Sequence, residues 1–252
     1  MKIPYPTIDE PATPEYVLAV LRDSHRQQCQ YDPTAEPSAI LAPETTIAEW
    51  REACDLIAWK QLGHALNGLW GIACSDAEWR EVLVPASTKQ LSGVCRLIAG
   101  YVTRPGIRPA RLFGSTCAAA GAFLTIRSLL HEAGVPGEGI APSTPLAPYT
   151  RRYPLVFLGS ISRLAPGSLP LVRIRRPVQD VAGWGFLAGF LCLLIGGFSG
   201  WSPLSIAAGL LLASSLALGW FATSFLLPAS VEFGEIRTFR DLAVVVAEGS
   251  QV

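Results

Sequence analysis

The chain has no excess of either charge: 20 lysines and arginines stand against 20 aspartates and glutamates among its 252 residues. A nucleic-acid-binding protein needs a clustered cationic surface, so this balance argues against that class of partner. Disorder is excluded as well, because half of the residues are hydrophobic and the mean hydropathy is +0.35. We therefore expect a folded protein that does not bind nucleic acid.

Recognisable catalytic and metal-binding motifs are also missing. The sequence has no Cys-x-x-Cys pair, no phosphate-binding glycine loop, no nucleophile elbow and no His-Glu-x-x-His, and its three histidines share no metal-ligand spacing. Consecutive cysteines are 20 or more residues apart, which favours reduced and mostly buried thiols at Cys29, Cys54, Cys74, Cys95, Cys117 and Cys192. We predict a protein that is not an enzyme and that holds neither a metal nor a cofactor.

Charge is absent from one long stretch, the 51 positions between Asp180 and Glu232. Two apolar runs fill it, Val181–Phe198 and Leu204–Leu227, with a short turn between them. A bilayer core about 30 Å thick needs roughly 20 apolar residues in a helix, so each run is long enough to span. The pattern predicts a two-helix transmembrane hairpin over residues 181–228.

The arginines that flank this stretch predict its orientation. They precede the first run and follow the second, while the turn has none: Arg163, Arg173, Arg175, Arg176, Arg237 and Arg240. Cationic flanks stay in the cytoplasm, which places both termini there and Trp201 at the far interface. The N-terminal residues have no apolar segment of the kind a signal peptide needs. We predict a protein of the cytoplasmic (inner) membrane with two spans.

Small residues recur at helical spacing within the runs, as Gly185 and Gly189 in the first and Gly209 and Ala213 in the second. Such faces let two helices approach closely, either within the hairpin, which we favour, or in a homodimer through Gly185 and Gly189. Neither run contains an ionisable residue. We therefore do not expect a transporter.

Two segment pairs suggest an internal repeat. Residues 41–50 (LAPETTIAEW) match residues 140–149 (IAPSTPLAPY) at an offset of 99, with four identities in ten positions. Residues 91–99 match residues 239–247 more weakly, at an offset of 148. The two offsets differ by 49, close to the length of the apolar hairpin. The pattern indicates two copies of one module, with the hairpin inserted into the second.

Each copy is predicted to be helical. Apolar periodicity indicates helices over Glu15–Gln28, Asp55–Leu69, Lys89–Tyr101 and Cys117–Ala133. Ser75 with Glu78 has the spacing of a capping box and predicts another helix start. The proline-rich stretch Pro142–Pro177 is predicted to form loops with short extended pieces.

The first copy resembles an acyl carrier protein. Leu69–Ile72 stands at the position of the turn that follows the family's second helix, and Gln90–Val94 at the start of its last helix. Two fragments of the second copy, AFLTIRSLLHEAGV with IAPSTPL and IRTFRDLAVVVA, resemble the first helix with its loop and the last helix. The resemblance implies a mainly α fold of small carrier-like helical bundles beside the transmembrane hairpin. Its modules are residues 1–104 and a divergent second module, 105–180 with 229–252, which the hairpin 181–228 splits.

The chain departs from the family at the residue that holds the phosphopantetheine arm. The modified serine of the family aligns with Leu56, after Asp55, and leucine has no hydroxyl. In the second copy Ser162 falls at the equivalent position, but Ile161 replaces the family's aspartate. The resemblance therefore implies a pseudo-carrier that lacks the prosthetic arm.

The leading hypothesis is a membrane-anchored, cytoplasm-facing interaction module that docks a protein partner and has no catalysis of its own. Exposed arginines are the expected polar contacts: Arg51, Arg80, Arg151 and Arg152. One alternative is a membrane-tethered carrier or thiol enzyme that uses Ser162 or Cys117. Cys117 is predicted to lie at a helix N-terminus, where the helix dipole lowers the pKa of a thiol. The other alternative is a small membrane effector.

Overall fold

The computed structural model describes residues 8–112, 114–136, 139–175, 177–199, 206–216 and 230–250. Within them the chain is mainly helical, with three two-stranded sheets, which confirms the mainly α part of the predicted fold class. Contacts divide the chain into two compact units, Met1–Arg173 with Glu232–Val252 and Ile174–Val231. We call the larger one the helical unit and the smaller one the hairpin unit.

The helical unit begins with a group of five helices. The elements of this first helical group and its flanking strands are β1 (Ile8–Pro11), α1 (Pro14–Gln28), α2 (Ile47–Ala53), α3 (Trp59–Trp70), α4 (Asp76–Leu83), α5 (Leu91–Ala99) and β2 (Thr103–Gly106). Strands β1 and β2 pair antiparallel, with Ile8 opposite Gly106. The sheet thereby joins the two ends of the group.

A second helical group follows and is completed by the C-terminal helix. Its elements are β3 (Ala110–Leu112), β4 (Ser115–Cys117), α6 (Ala118–Glu132), α7 (Ala147–Arg152), α8 (Pro154–Val156) and α11 (Phe239–Gly249). A π-helical turn, Phe157–Ile161, and a 3-10 turn, Ser162–Leu164, continue α8. The hairpin unit contains α9 (Pro177–Ser199) and α10 (206–216), and paired strands β5 (Val172–Arg175) and β6 (Ser230–Phe233) flank them.

Side-chain caps fix several of the helix starts. The Ser75 hydroxyl accepts the Glu78 N–H, and the Glu78 carboxylate accepts the Ser75 N–H at 2.8 Å. The same reciprocal pair opens α2 at Thr46 and α11 at Thr238. Each cap satisfies N–H groups that a helix start leaves unpaired. The capping box predicted at Ser75 is confirmed.

The core of the first helical group lies where α1 meets α5 and α3 meets α4. Trp79, Leu83, Leu91 and Ile98 are fully buried there. The Trp79 indole packs directly against Gly63 of α3, where an added Cβ would lie 2.7 Å from the Trp79 Cγ. Because only a hydrogen fits at that point, α3 and α4 can approach this closely.

The second helical group has a core of its own between α6 and α11. Phe239 of α11 is fully buried and meets the Tyr149 ring edge-on, with the ring centroids 5.2 Å apart. Phe157 packs against the same phenylalanine and against Phe233. Aromatic contacts thus tie the C-terminal helix to the segment that precedes the hairpin.

The two segment pairs of the predicted repeat have the same backbone arrangement. An isolated antiparallel bridge joins Thr46 to Gln90, and another joins Pro145 to Thr238. The offsets between these bridges are 99 (145 − 46) and 148 (238 − 90), the values that the sequence match gives.

Five hydrogen bonds around each bridge have an equivalent around the other at the same offsets. The N–H of Leu91 donates to the Thr45 carbonyl at 2.8 Å, as the N–H of Phe239 donates to that of Thr144 at 3.2 Å. The other equivalent donors are Ala42 and Ala141, Thr45 and Thr144, Ile47 and Leu146, and Ser92 and Arg240. The segments therefore share a conformation as well as a sequence pattern.

Most predicted helices of the helical unit are present, with shifted bounds. The helix predicted to start at Asp55 starts at Trp59, because Asp55 has a positive φ of 47° that a helix cannot continue. The prediction for Pro142–Pro177 was wrong in part, since α7, α8 and two further helical turns lie there. Pro148 and Pro154 lie at the first positions of these short helices, where no N–H is needed.

In the hairpin unit, α9 and α10 pack on each other through the predicted glycines. A Cβ on Gly189 would lie 3.0 Å from the Leu212 Cγ, and one on Gly185 would lie 2.5 Å from the Ser215 Oγ. The earlier glycine of α9 meets the later residue of α10, and the later glycine meets the earlier residue, so the helices form an antiparallel hairpin. Packing within the hairpin is therefore confirmed for Gly185 and Gly189. The prediction for the second pair was wrong, since an added Cβ on Gly209 would meet nothing within 4 Å and Ala213 is exposed. A homodimer through Gly185 and Gly189 stays a prediction and would compete with α10 for the same helix face.

Within the described residues, no helix combines the length and the apolar character needed to cross a membrane. The structure therefore supports the hairpin but not its predicted transmembrane nature. The predicted turn with Trp201, and the end of the second run, lie outside the described residues.

The outer face of the hairpin is nonetheless apolar. The large exposed side chains on α9 and α10 are Trp184, Phe186, Leu187, Phe190, Leu191, Leu193, Leu194, Ile195, Ile206, Leu210, Leu211 and Leu216. Ala208 and Ser215, which face α9, are buried. The contact between the helices thus includes Gly185, Gly189, Ala208 and Ser215 together with Leu212, and it leaves these large side chains exposed.

Candidate functional site

Cys117 lies at the start of α6, as predicted. It is the N-cap residue of that helix, and its sulfur accepts a hydrogen bond from the Ala120 N–H at 3.4 Å. His131 occupies the last turn of the same helix and is therefore remote from it. A catalytic role for Cys117 stays a prediction.

The Ser162 hydroxyl is buried and engaged. Its side chain is 8% exposed, and its Oγ lies 2.6 Å from the Leu158 carbonyl and 3.0 Å from that of Gly159. A hydroxyl donates one hydrogen, so this serine is held by the backbone of its own helical turn. The structure offers no exposed hydroxyl here for a prosthetic arm.

Three of the four arginines proposed as docking contacts are exposed: Arg80, Arg151 and Arg152. The Arg152 guanidinium stacks on the Tyr153 ring at 5.5 Å. Arg51 is half-buried, and its Nε has no hydrogen-bond partner among the described residues. It is therefore a poorer contact for a partner than the other three.

His64 belongs to an exposed brace between α3 and α4. Its Nε2 lies 2.8 Å from one Asp76 oxygen, and the Lys60 Nζ lies 3.1 Å from the other. The hydrogen bonds from His64 and Lys60 lower the pKa of Asp76. No group of three or more metal-ligating side chains occurs in the described part of the chain.

A groove of about 390 Å³ runs along one face of α1. Its polar wall is Arg22, His25, Arg26 and Cys29, which follow one another at helical spacing. The facing wall is mostly apolar and comes from two other segments: Pro37, Ala39, Ile40 and Leu41, and Leu171. The groove therefore combines cationic groups, a thiol and apolar surface.

His25 and Cys29 form a pair at the bottom of this groove. The Cys29 Sγ lies 3.5 Å from the His25 Nε2. His25 is 7% exposed, whereas Cys29 is half-buried and lines the groove. Burial raises the pKa of the Cys29 thiol. Sequence reasoning missed this pair, although a histidine and a cysteine four residues apart on a predicted helix must share one face.

Backbone carbonyls hold both arginines in place. The Arg22 Nε donates to the Leu41 carbonyl at 2.6 Å. The Arg26 Nη2 donates to the Asp23 carboxylate at 2.7 Å and to the Leu169 carbonyl at 2.6 Å. The apolar wall is thereby fixed to α1 by the same side chains that give the groove its charge.

No family model matches the chain, and neither the curated proteins nor the solved structures contain a significant match to it. The resemblance to acyl carrier proteins therefore stays a prediction from the sequence.

Proposed function

We propose that this protein is a membrane-anchored interaction module: the hairpin embeds in a lipid bilayer, and the helical unit docks a protein partner without catalysis of its own. The observation that carries the proposal is the apolar outer face of α9 and α10. The twelve large side chains of this face are each at least 38% exposed, so the packing of α9 on α10 leaves them uncovered.

The free energy gained by covering these apolar side chains is large enough to favour an apolar environment for the hairpin. Fully burying one Leu, Ile or Phe side chain is worth about 1.5–3 kcal/mol, and these twelve side chains are roughly half exposed. Covering them would therefore yield about 10 kcal/mol. Soluble monomers rarely leave a patch of this size in water. The complete absence of charge between Asp180 and Glu232 favours lipid over a protein surface as the cover.

The predicted topology, with two complete spans and both termini in the cytoplasm, belongs to the same proposal. The arginines before α9 and after β6 support it, because cationic flanks are retained on the cytoplasmic side.

The matched hydrogen bonds support two copies of one module, and contacts between the copies favour a single docking body. The Arg163 guanidinium stacks on the Trp70 ring at 4.3 Å, and its Nη2 donates to the Leu69 carbonyl at 2.8 Å. The Tyr16 hydroxyl donates to the Arg163 carbonyl at 3.1 Å. Arg80, Arg151 and Arg152 remain exposed on this body, which suits an acidic partner surface.

Vesicle flotation tests the membrane anchor. The full chain, mixed with phosphatidylcholine vesicles, should float with them and resist an alkaline wash. Leu187→Arg combined with Leu210→Arg should lower the bound fraction at least about tenfold, because arginine in a bilayer core costs several kcal/mol. Leu155→Arg is the matched control, since Leu155 is 82% exposed but lies in the helical unit. Wild-type protein that stays with the soluble fraction would contradict the proposal.

A further inference from the structure

We propose that Cys29 is a modification site: a reactive thiol whose groove takes small carbon electrophiles that bear an anionic group. His25 serves as the base, and Arg22 attracts the anion. This goes beyond the docking function and does not depend on the membrane anchor, because every group involved lies in the helical unit.

Cys29 differs from the other cysteines in its surroundings. Cys54, Cys74 and Cys95 are buried, and burial raises the pKa of Cys54 and of Cys95 to about 12. Half-buried Cys117 interacts with the start of its own helix. Cys29 lines an open groove and has an imidazole within reach of its sulfur. Among the cysteines of the helical unit that the structure describes, it is thus the thiol that combines access with a base.

The reaction begins with a proton transfer. Burial holds the Cys29 thiol in its protonated form, so attack needs the neighbouring His25 Nε2 to accept the proton. The sulfur then forms a bond to the electrophilic carbon, and the leaving group departs with its bonding electron pair. With iodoacetate the products are a carboxymethyl thioether and iodide. With a thioester they are a Cys29 thioester and a free thiol.

The charges around the thiol favour an anionic reagent. Arg22 and Arg26 line the groove, and no carboxylate does. Asp23 is paired with Arg26 and offsets its charge. The Asp32 carboxylate, which accepts hydrogen bonds from Gln28 and Thr34, acts on the Cys29 thiol and helps burial to raise its pKa. The attraction for an anion therefore comes from the exposed Arg22, whose guanidinium forms no ion pair within the described part of the chain.

The test compares alkylation of the full chain by iodoacetate and by the neutral iodoacetamide, with rates at each cysteine followed by peptide mass spectrometry. Cys29 should show an iodoacetate-to-iodoacetamide rate ratio about fivefold above that of Cys117 in the same sample. Arg22→Gln should lower that ratio about threefold, and Arg22→Lys should restore it. Arg111→Gln, which removes an exposed arginine outside the groove, should leave the ratio unchanged.

His25→Gln should slow both reagents at Cys29 by about tenfold or more and leave their ratio unchanged, since it removes the base but not the charge. Because His25 is buried, the unfolding temperature of this variant is measured alongside. The Arg22 variants test the proposal even if His25→Gln is unstable, because Arg22 is exposed. The proposal would be overturned by an iodoacetate-to-iodoacetamide ratio at Cys29 that equals that of Cys117, or by one that Arg22→Gln leaves unchanged.

Discussion

Replacing Gly63 by alanine probes how tightly α3 packs against α4. Glycine inside a helix normally costs about 1 kcal/mol relative to alanine, so the substitution would stabilise an unconstrained helix. At this position the new Cβ would lie 2.7 Å from the Trp79 Cγ and 2.8 Å from its Cδ1. Both distances are well below van der Waals contact.

The indole has little freedom to move out of the way. Trp79 is fully buried, and its Nε1 donates to the Asn67 Oδ1 at 3.0 Å. Asn67 also binds the Cys74 backbone at its N–H and its carbonyl. Overpacking of this kind costs about 1–3 kcal/mol, and the burial of the indole places this site toward the upper end, above the gain in helix propensity. We expect Gly63→Ala to destabilise the protein by up to about 2 kcal/mol in net terms.

Gly68 is the matched control, because it lies on the same helix and an added Cβ would meet nothing within 4 Å. Gly68→Ala should therefore stabilise by up to about 1 kcal/mol. Thermal unfolding followed by circular dichroism measures both, with about 2–4 °C expected per kcal/mol for a chain of this size. Shifts of the same sign in the two variants would refute the close packing of Gly63 on Trp79.

Two further predictions follow from the helix contacts and the capping carboxylates. Gly189→Leu should open the hairpin and speed amide hydrogen exchange in α9 and α10. Gly209→Leu should not, because an added Cβ there would meet nothing within 4 Å. Equal exchange rates in the two variants would contradict the observed packing. Hydrogen bonds from Ser75 and Tyr101 lower the pKa of Glu78 from 4.5 to about 2, so its stabilising contribution is complete above pH 4.5 and is lost as the pH falls toward 2. Tyr101→Phe should reduce the loss of thermal stability across that window, and an unchanged acid profile would count against the bond.

Local rules were sufficient for much of the helical unit. The start of α4 followed from Ser75 and Glu78, and the end of α3 followed from Gly71, whose φ of 65° suits glycine. Helix α2 was not predicted, although Thr46 and Glu49 have the same capping-box spacing. Its seven residues are too few for apolar periodicity to emerge. Strand β2, with the sequence TRPG, lacks any alternation to read.

Local sequence rules predict only one wall of the groove. His25 and Cys29 share a face of α1 by their spacing alone, and Arg22 lies on the same face. The opposite wall includes Leu171, which follows Cys29 by about 140 residues. Tertiary contacts such as the hydrogen bond from Arg26 to the Leu169 carbonyl bring this segment to α1. Half of the candidate site was therefore readable from periodicity, and the other half depended on long-range packing.

The predicted insertion of the hairpin into a second repeat copy agrees with the pairing of the strands that flank it. Strands β5 and β6 are paired, so the chain leaves for α9 and returns from α10 through neighbouring segments. Beyond β6 the repeat resumes in the same pattern, with Phe239 bonded to Thr144 as Leu91 is bonded to Thr45. Insertions are tolerated where they leave the hydrogen bonds and core of the host intact. The hydrogen bonds that join residues 142–146 to residues 237–240 are the ones matched in the first helical group, so the segment between β5 and β6 leaves this part of the second group intact.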